Sequence, residues 1–176
     1  ALWATPPTIR GMSKAQPEPA AVPAVEIASV DAIQRTHRQL CLQIRETPVW
    51  EWQAHRLAQR LPAGTKVWQK LELFQHTGSF KPRGALCVMQ ALDAEQRARG
   101  VTAVSAGNHA MAVAWAARSV GTHAKVAMPQ SADPLRVQTC RRLGAEVILE
   151  SDIAAAFQRA QTLERDEQRT FVHPFE

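Results

Sequence analysis

The sequence predicts an α/β fold, a parallel sheet with flanking helices, and three observations carry the prediction. After Thr47-Pro48, short apolar runs alternate with segments whose apolar residues recur at helical spacing. The run Val101-Thr102-Ala103-Val104 is apolar enough to be buried on both faces, as a strand covered by helices requires. Gly100, Gly121 and Gly144 punctuate the helical segments, at the position past a helix end that favours glycine.

Taken in order, residues 1–28 are rich in proline and alanine without periodicity, and a disordered leader is expected there. Ala1 is not a start residue, whereas Met12-Ser13-Lys14 looks like one, and the stretch lacks the compact apolar core of a signal peptide. A helix is expected over 29–44, with Ser29 as its cap and Ile33, Leu40 and Ile44 among its apolar positions. Strands are expected near 67–71, 101–105, 124–128, 146–149 and 170–172. Helices near 79–92, 108–120, 134–143 and 152–169 lie between them.

Two segments carry chemistry. The first is Gln75-His76-Thr77-Gly78-Ser79-Phe80-Lys81-Pro82-Arg83-Gly84-Ala85. Pro82 suits a first helical position, and Leu86, Met89 and Leu92 follow at helical spacing, so Lys81 sits at a helix start. A cation there opposes the helix dipole by about 0.3–1 kcal/mol when exposed, and Arg83 adds a second. The pair calls for something anionic nearby. The second segment, Ser105-Ala106-Gly107-Asn108-His109, joins an apolar strand to a helix carrying Met111, Val113, Ala114 and Ala117. A strand, a glycine turn and a helix start together form an anion site from backbone N–H groups. On the residues alone, a solvated lysine and a helix capped by Asn108 or Ser105 remain open as readings.

Thr77 through Ala85 resembles the cofactor-lysine motif of the pyridoxal phosphate enzymes of the threonine dehydratase family. The resemblance implies that Lys81 carries pyridoxal 5'-phosphate as a Schiff base, with Phe80 beside the cofactor ring. Such a lysine reacts as the free amine, so desolvation or positive surroundings, Arg83 included, are expected to favour the neutral form and to attract the cofactor phosphate. Ser105-Ala106-Gly107-Asn108-His109 is similar to the family loop that holds the substrate carboxylate. Asn108 would hydrogen-bond the ring hydroxyl oxygen, and Ser105, Ala106, Gly107, Asn108 and His109 would form the substrate pocket. Thr47-Pro48-Val49, Lys70-Leu71-Glu72, Val126-Ala127-Met128-Pro129, Leu143-Gly144-Ala145-Glu146-Val147 and Phe171-Val172-His173-Pro174-Phe175 fit the family in the same order, so the resemblance spans roughly 47–176. Met111 stands where glutamine is common and Arg136 where lysine is common, which bears on substrate shape more than on reaction class.

The resemblance implies a two-lobed fold type II enzyme. Residues 29–99 would begin the large cofactor lobe and 100–176 would form the small lobe. The family's phosphate loop and the rest of its large lobe are expected beyond Glu176. On that view the strand near 67–71 has no sheet to join, and the apolar faces of its neighbouring helices lack partners. The implied reaction dehydrates and deaminates a hydroxyamino acid, threonine or serine, to a 2-oxo acid and ammonia, with Lys81 or an associated group taking the α-proton. An inactive truncated chain is the alternative from another class. Threonine synthases often carry aspartate where Pro82 stands, the cysteine-synthesising branch lacks Thr-Gly-Ser-Phe, and serine racemases place a second serine where Ala106 stands. Alanine neither gives nor takes a proton, which favours dehydration over racemisation.

Bulk properties exclude other classes. The chain has 176 residues, 45% of them apolar and 21% charged, as a globular domain requires. No apolar run approaches a membrane span. The net charge of +5 and a pI near 9.6 invite a nucleic-acid partner, but the arginines are scattered and only 6% of residues are aromatic, with no stacking series. Cys41, Cys87 and Cys140 are odd in number and far apart, suggesting neither a disulfide framework nor a metal cluster, and reduced cytoplasmic thiols are expected. A small-molecule amino acid substrate and a homo-oligomeric full-length enzyme complete the expectation.

Overall fold

A computed structural model describes residues 28–53, 56 and 59–175 of the chain. The expected leader lies, apart from Ala28, outside the described residues. Helix α1 (Val30–Leu40) opens with Ser29, whose hydroxyl accepts from the Ala32 N–H at 3.2 Å. It stops at Leu40, earlier than expected, because the Gln43 N–H turns back onto the Leu40 carbonyl at 2.8 Å and converts the last turn into a loop.

Strands β1 (Val49–Glu51) and β2 (Trp68–Lys70) form an antiparallel pair, with Trp50 opposite Gln69. The strand expected near 67–71 therefore has a partner, and β1 is an element the sequence reading passed over. It is only three residues long, and its alternation is too brief to register as a period. Two 3-10 turns, Glu72–Phe74 and His76–Gly78, lead to helix α2 (Lys81–Ala91). Ser79, expected inside the helix, is extended with φ −158° and ψ 169°, and the helix waits for Pro82 near its start. A short helix α3 (Ala94–Arg99) follows as a separate element that was not expected. Its signal was present: Asp93 and Gln96 form a capping box, each side chain bonding the other's backbone N–H.

The main sheet is built from β3 (Val101–Val104), β4 (Ala124–Pro129), β5 (Glu146–Glu150) and β6 (Thr170–Phe171), in the order β5-β4-β3-β6 with every pairing parallel. Helices α4 (Asn108–Val120), α5 (Pro134–Arg142) and α6 (Ile153–Glu167) connect the strands. Asp133 and Asp152 cap the last two, accepting from Leu135 N–H at 2.7 Å and Ala155 N–H at 2.8 Å. The expected α/β architecture is thus the observed one. Strand alternation sends Ala103 and Val126 toward the larger core with α2, α4 and α5, and sends Val104 and Ala127 toward Ala156 and Ala160 of α6. Gly100, before β3, has φ +84°, and a Cβ there would lie 2.5 Å from the His123 carbonyl oxygen, so glycine is required.

Helix α2 does not lack a partner. Ala85, Leu86 and Met89 are buried in one core with Ala110, Val113 and Ala117 of α4, and Leu40 of α1 joins them. Leu86 and Met89 are fully excluded from solvent, worth roughly 1.5–3 kcal/mol each. Expecting an exposed face was wrong because α4 is long and alanine-rich, which lets α2 approach it closely. This packing joins the lysine segment to the sheet. Among the described residues no helix is long and apolar enough to cross a membrane.

Candidate active site

Lys81 is the first residue of α2, and no side chain caps that helix start. Its Nζ donates to the backbone carbonyl of Pro174, on the segment leaving β6. The amine also lies 5.4 Å from the ring centre of Phe80 and 5.3 Å from that of Phe175, so two aromatic faces flank it. These groups share a cavity of about 330 Å³, whose walls include Val88 and His109.

Arg83 does not leave an open positive field beside this cavity, contrary to the expectation. Its Nε and Nη2 each donate to Glu72 at 2.8 Å, a bidentate pair that answers its charge. The Glu72 carboxyl is held below the usual carboxylate range, first by the Arg83 hydrogen bonds and then by the Thr47 hydroxyl, with partial burial opposing. Thr47 donates to Glu72 at 2.6 Å, and its carbonyl accepts from Lys70 Nζ at 2.6 Å. Gln75 is buried, accepts from the N–H groups of Arg45 and His76 at 3.0 Å, and returns a bond to the Arg45 carbonyl at 2.8 Å. Thr47, Glu72, Gln75 and Arg83 thus bracket the turn before Lys81. His76 stacks on Trp115 of α4 with centroids 4.5 Å apart, and burial, followed by the Arg45 charge, pushes its pKa down. Thr77 takes a left-handed φ of +58°, and the buried hydroxyls of Thr77 and Ser79 have no hydrogen-bond partner among the described residues.

The loop after β3 is built as its residues suggest. Ser105 Oγ accepts from the Gly107 N–H at 3.0 Å, so Ser105 shapes the turn and does not cap α4. Gly107 is the cap residue and makes no side-chain bond, which leaves the first N–H groups of α4 open. A Cβ on Gly107 would meet Arg136 Nη1 at 2.7 Å, so the guanidinium already occupies that space. Asn108 is exposed and its amide has no partner among the described residues, while Ala106 packs against the core. His109 is buried, with Nε2 2.9 Å from the Val172 carbonyl. Of these five residues, only His109 lines the cavity that holds Lys81.

The donor set fits a pyridoxal phosphate. A primary amine stands at a cavity between flat apolar rings, a buried orphan hydroxyl at Ser79 lies two residues away, and an uncapped helix start and a free amide at Asn108 belong to the neighbouring loop. Residues missed by sequence reasoning are the bracket of Thr47, Gln75 and Glu72 and the wall formed by Pro174 and Phe175. The bracket's residue types were visible, but Thr47 meets Glu72 and Arg83 across 25 and 36 residues of sequence, which spacing cannot reveal.

A family model described as pyridoxal-phosphate dependent enzyme matches residues 40–176. The chain is 46% identical over 149 residues to a phenylserine dehydratase of Ralstonia pickettii, covering 85% of this chain and 44% of that protein. It is 44% identical over 113 residues to an L-threonine ammonia-lyase of Thermotoga maritima, covering 64% of this chain and 28% of that one. The structure of maize serine racemase superposes with a TM-score of 0.74 at 30% identity, over 85% of this chain and 44% of the racemase. The chain spans less than half the length of each of these relatives.

Proposed function

The chain belongs to the pyridoxal-phosphate dependent enzymes, and from that premise we propose that the site built on Lys81 serves the dehydration and deamination of a hydroxyamino acid to a 2-oxo acid and ammonia. The observation that carries this reading is the Lys81 amine, set in a cavity whose lining includes the rings of Phe80 and Phe175 and His109, the last residue of the Ser105-to-His109 loop. When bound, pyridoxal phosphate supplies an electron-withdrawing ring that stabilises charge developing at the substrate α-carbon. Lys81 would hold it covalently, Phe80 would line its ring, and Asn108 would offer an amide to its hydroxyl oxygen.

The open N–H groups at the start of α4, with Ser105, Ala106 and Gly107, hold the substrate carboxylate and so fix the α-carbon near Lys81. The Lys81 amine is the group that takes the α-proton. Alanine at 106 supplies no hydroxyl at that position to return a proton from the opposite side, which separates this reading from the racemisation named for the maize neighbour. Threonine and serine are the proposed substrates. A β-phenyl analogue is a further one, on the 46% identity to the phenylserine enzyme. We further assign residues 29–99 to a large cofactor lobe and 100–176 to a small lobe, in a cytoplasmic, homo-oligomeric enzyme.

The test is product analysis on the protein in a form spanning the full length of its relatives. Incubation with L-threonine, L-serine or β-phenylserine should release 2-oxo acid and ammonia in equal amounts. Chiral chromatography showing mainly the opposite enantiomer would overturn the assignment.

A further inference from the structure

His109 is the one residue of its loop that faces the Lys81 cavity, yet its ring is already engaged. Its Nε2 lies 2.9 Å from the Val172 carbonyl, and a carbonyl only accepts, so the proton sits on Nε2 and the imidazole donates. Val172 is held from its other side as well: its N–H donates to the Thr102 carbonyl at 2.8 Å, continuing the ladder between β6 and β3, and its side chain is 2% exposed. The backbone at 172 is therefore pinned to the sheet through its N–H and to α4 through its C=O.

Two residues further on, the Pro174 carbonyl accepts from Lys81 Nζ. The intervening His173 folds the segment, its Nδ1 accepting from the Phe175 N–H at 3.3 Å, and its ring packs edge-on against Phe157, Phe171 and Phe175. The proline ring fixes φ, and the Pro174 carbonyl shares a planar peptide with the Phe175 N–H that His173 Nδ1 accepts, so its direction follows from the placement of Val172 and His173. Phe175, the next residue, is the second ring near the amine, 5.3 Å from it at its centre. Burial is the largest cause of the lowered His109 pKa, the Val172 carbonyl opposes it, and Lys81 and His173, which line the same cavity, add smaller effects in the lowering direction.

We propose that His109 is a positioning residue for Lys81, acting through the backbone of residues 172–174: by donating to Val172 it sets the Pro174 carbonyl that orients the amine. The proposal rests on the reading of Lys81 as the reacting amine. It does not depend on which hydroxyamino acid is used.

The experiment measures acetylation of Lys81 by acetic anhydride in the folded chain, read by peptide mapping and normalised to the exposed Lys66, for the unmodified protein, His109→Leu and His109→Gln. Leucine cannot donate. Freeing the amine from its bond to the Pro174 carbonyl should raise the Lys81 rate at mildly alkaline pH by about threefold or more. Glutamine places an amide donor at similar reach and should restore the unmodified rate, which a merely space-filling histidine would not explain. An unchanged rate in folded His109→Leu overturns the proposal.

Should His109→Leu fail to fold, nitrogen NMR of the unmodified chain decides. A neutral ring protonated on Nε2 supports the assignment, and protonation on Nδ1 overturns it. Borohydride fixation of pyridoxal phosphate, mapped separately, would expose a wrong choice of lysine without altering the His109 result, so the two failures are distinguishable.

Discussion

Glu72 and Arg83 should be coupled strongly enough to be measured, because their pairing ties the turn before Lys81 to the first turns of α2. The structure gives two parallel charge-assisted hydrogen bonds of 2.8 Å, with side chains 29% and 17% exposed for Arg83 and Glu72. Charge-assisted bonds contribute roughly 1.5–3 kcal/mol in mutational series, and partial exposure screens them, so a coupling of about 1–2 kcal/mol is expected. Glu72→Ala alone should cost more, about 2–3 kcal/mol, since it strands the Arg83 guanidinium and also removes the acceptor of the Thr47 hydroxyl. In a chain of 176 residues that corresponds to a fall in Tm of roughly 4–12 °C. The assay is a double-mutant cycle of Glu72→Ala and Arg83→Ala by urea unfolding. A coupling below about 0.5 kcal/mol would show that the pair is a surface contact and that something else holds the turn.

Acid should destabilise the protein in two steps, followed by urea unfolding across pH. The His76 and His109 pKa values lie below the ordinary 6.5, so the unfolded chain takes up protons that the fold refuses, and stability begins to fall as pH drops below 6.5. Glu72 lies below the ordinary 4.5 and Glu167, between Lys125 and Arg169, is lowered to about 2, so their contribution is intact above 4.5 and is lost as pH falls toward 2. Gly100→Ala should cost about 2 kcal/mol or more by the same assay, since φ +84° strains alanine and its Cβ would meet the His123 carbonyl at 2.5 Å; a cost under about 0.5 kcal/mol would mean that this junction is loose. In the form spanning the full length of its relatives, Ala106→Ser should raise the opposite enantiomer recovered from L-serine, as measured by chiral chromatography. No increase would place the missing proton donor elsewhere.

Much of the fold was readable because its signals are local. Helices start close to where they were expected near 134 and 152, with Asp133 and Asp152 as their caps, Ser29 accepts from Ala32 as expected, and the apolar run of β3 is buried throughout. Lys81 at a helix start followed from Pro82 and the spacing of Leu86 and Met89. What stayed hidden depends on distant segments. The role of Arg83 was misread because Glu72, its partner, is separated from it by a 3-10 turn and by a left-handed Thr77 that no propensity signals. The short β1 is defined only by its partner β2. His109 was read for its loop, yet its bond reaches 63 residues ahead to Val172, and the Lys81 bond reaches 93 residues to Pro174.

The claim that Lys81 is the cofactor lysine is tested most directly by reducing the protein with borohydride in the presence of pyridoxal phosphate and mapping the labelled peptide. A stoichiometric label on Lys81 in the form spanning the full length of its relatives is predicted. Lys81→Ala should remove the label and lower turnover by orders of magnitude, because attachment and proton transfer are lost together. A stoichiometric label on Lys66, Lys70 or Lys125 with Lys81 unmodified would contradict the account.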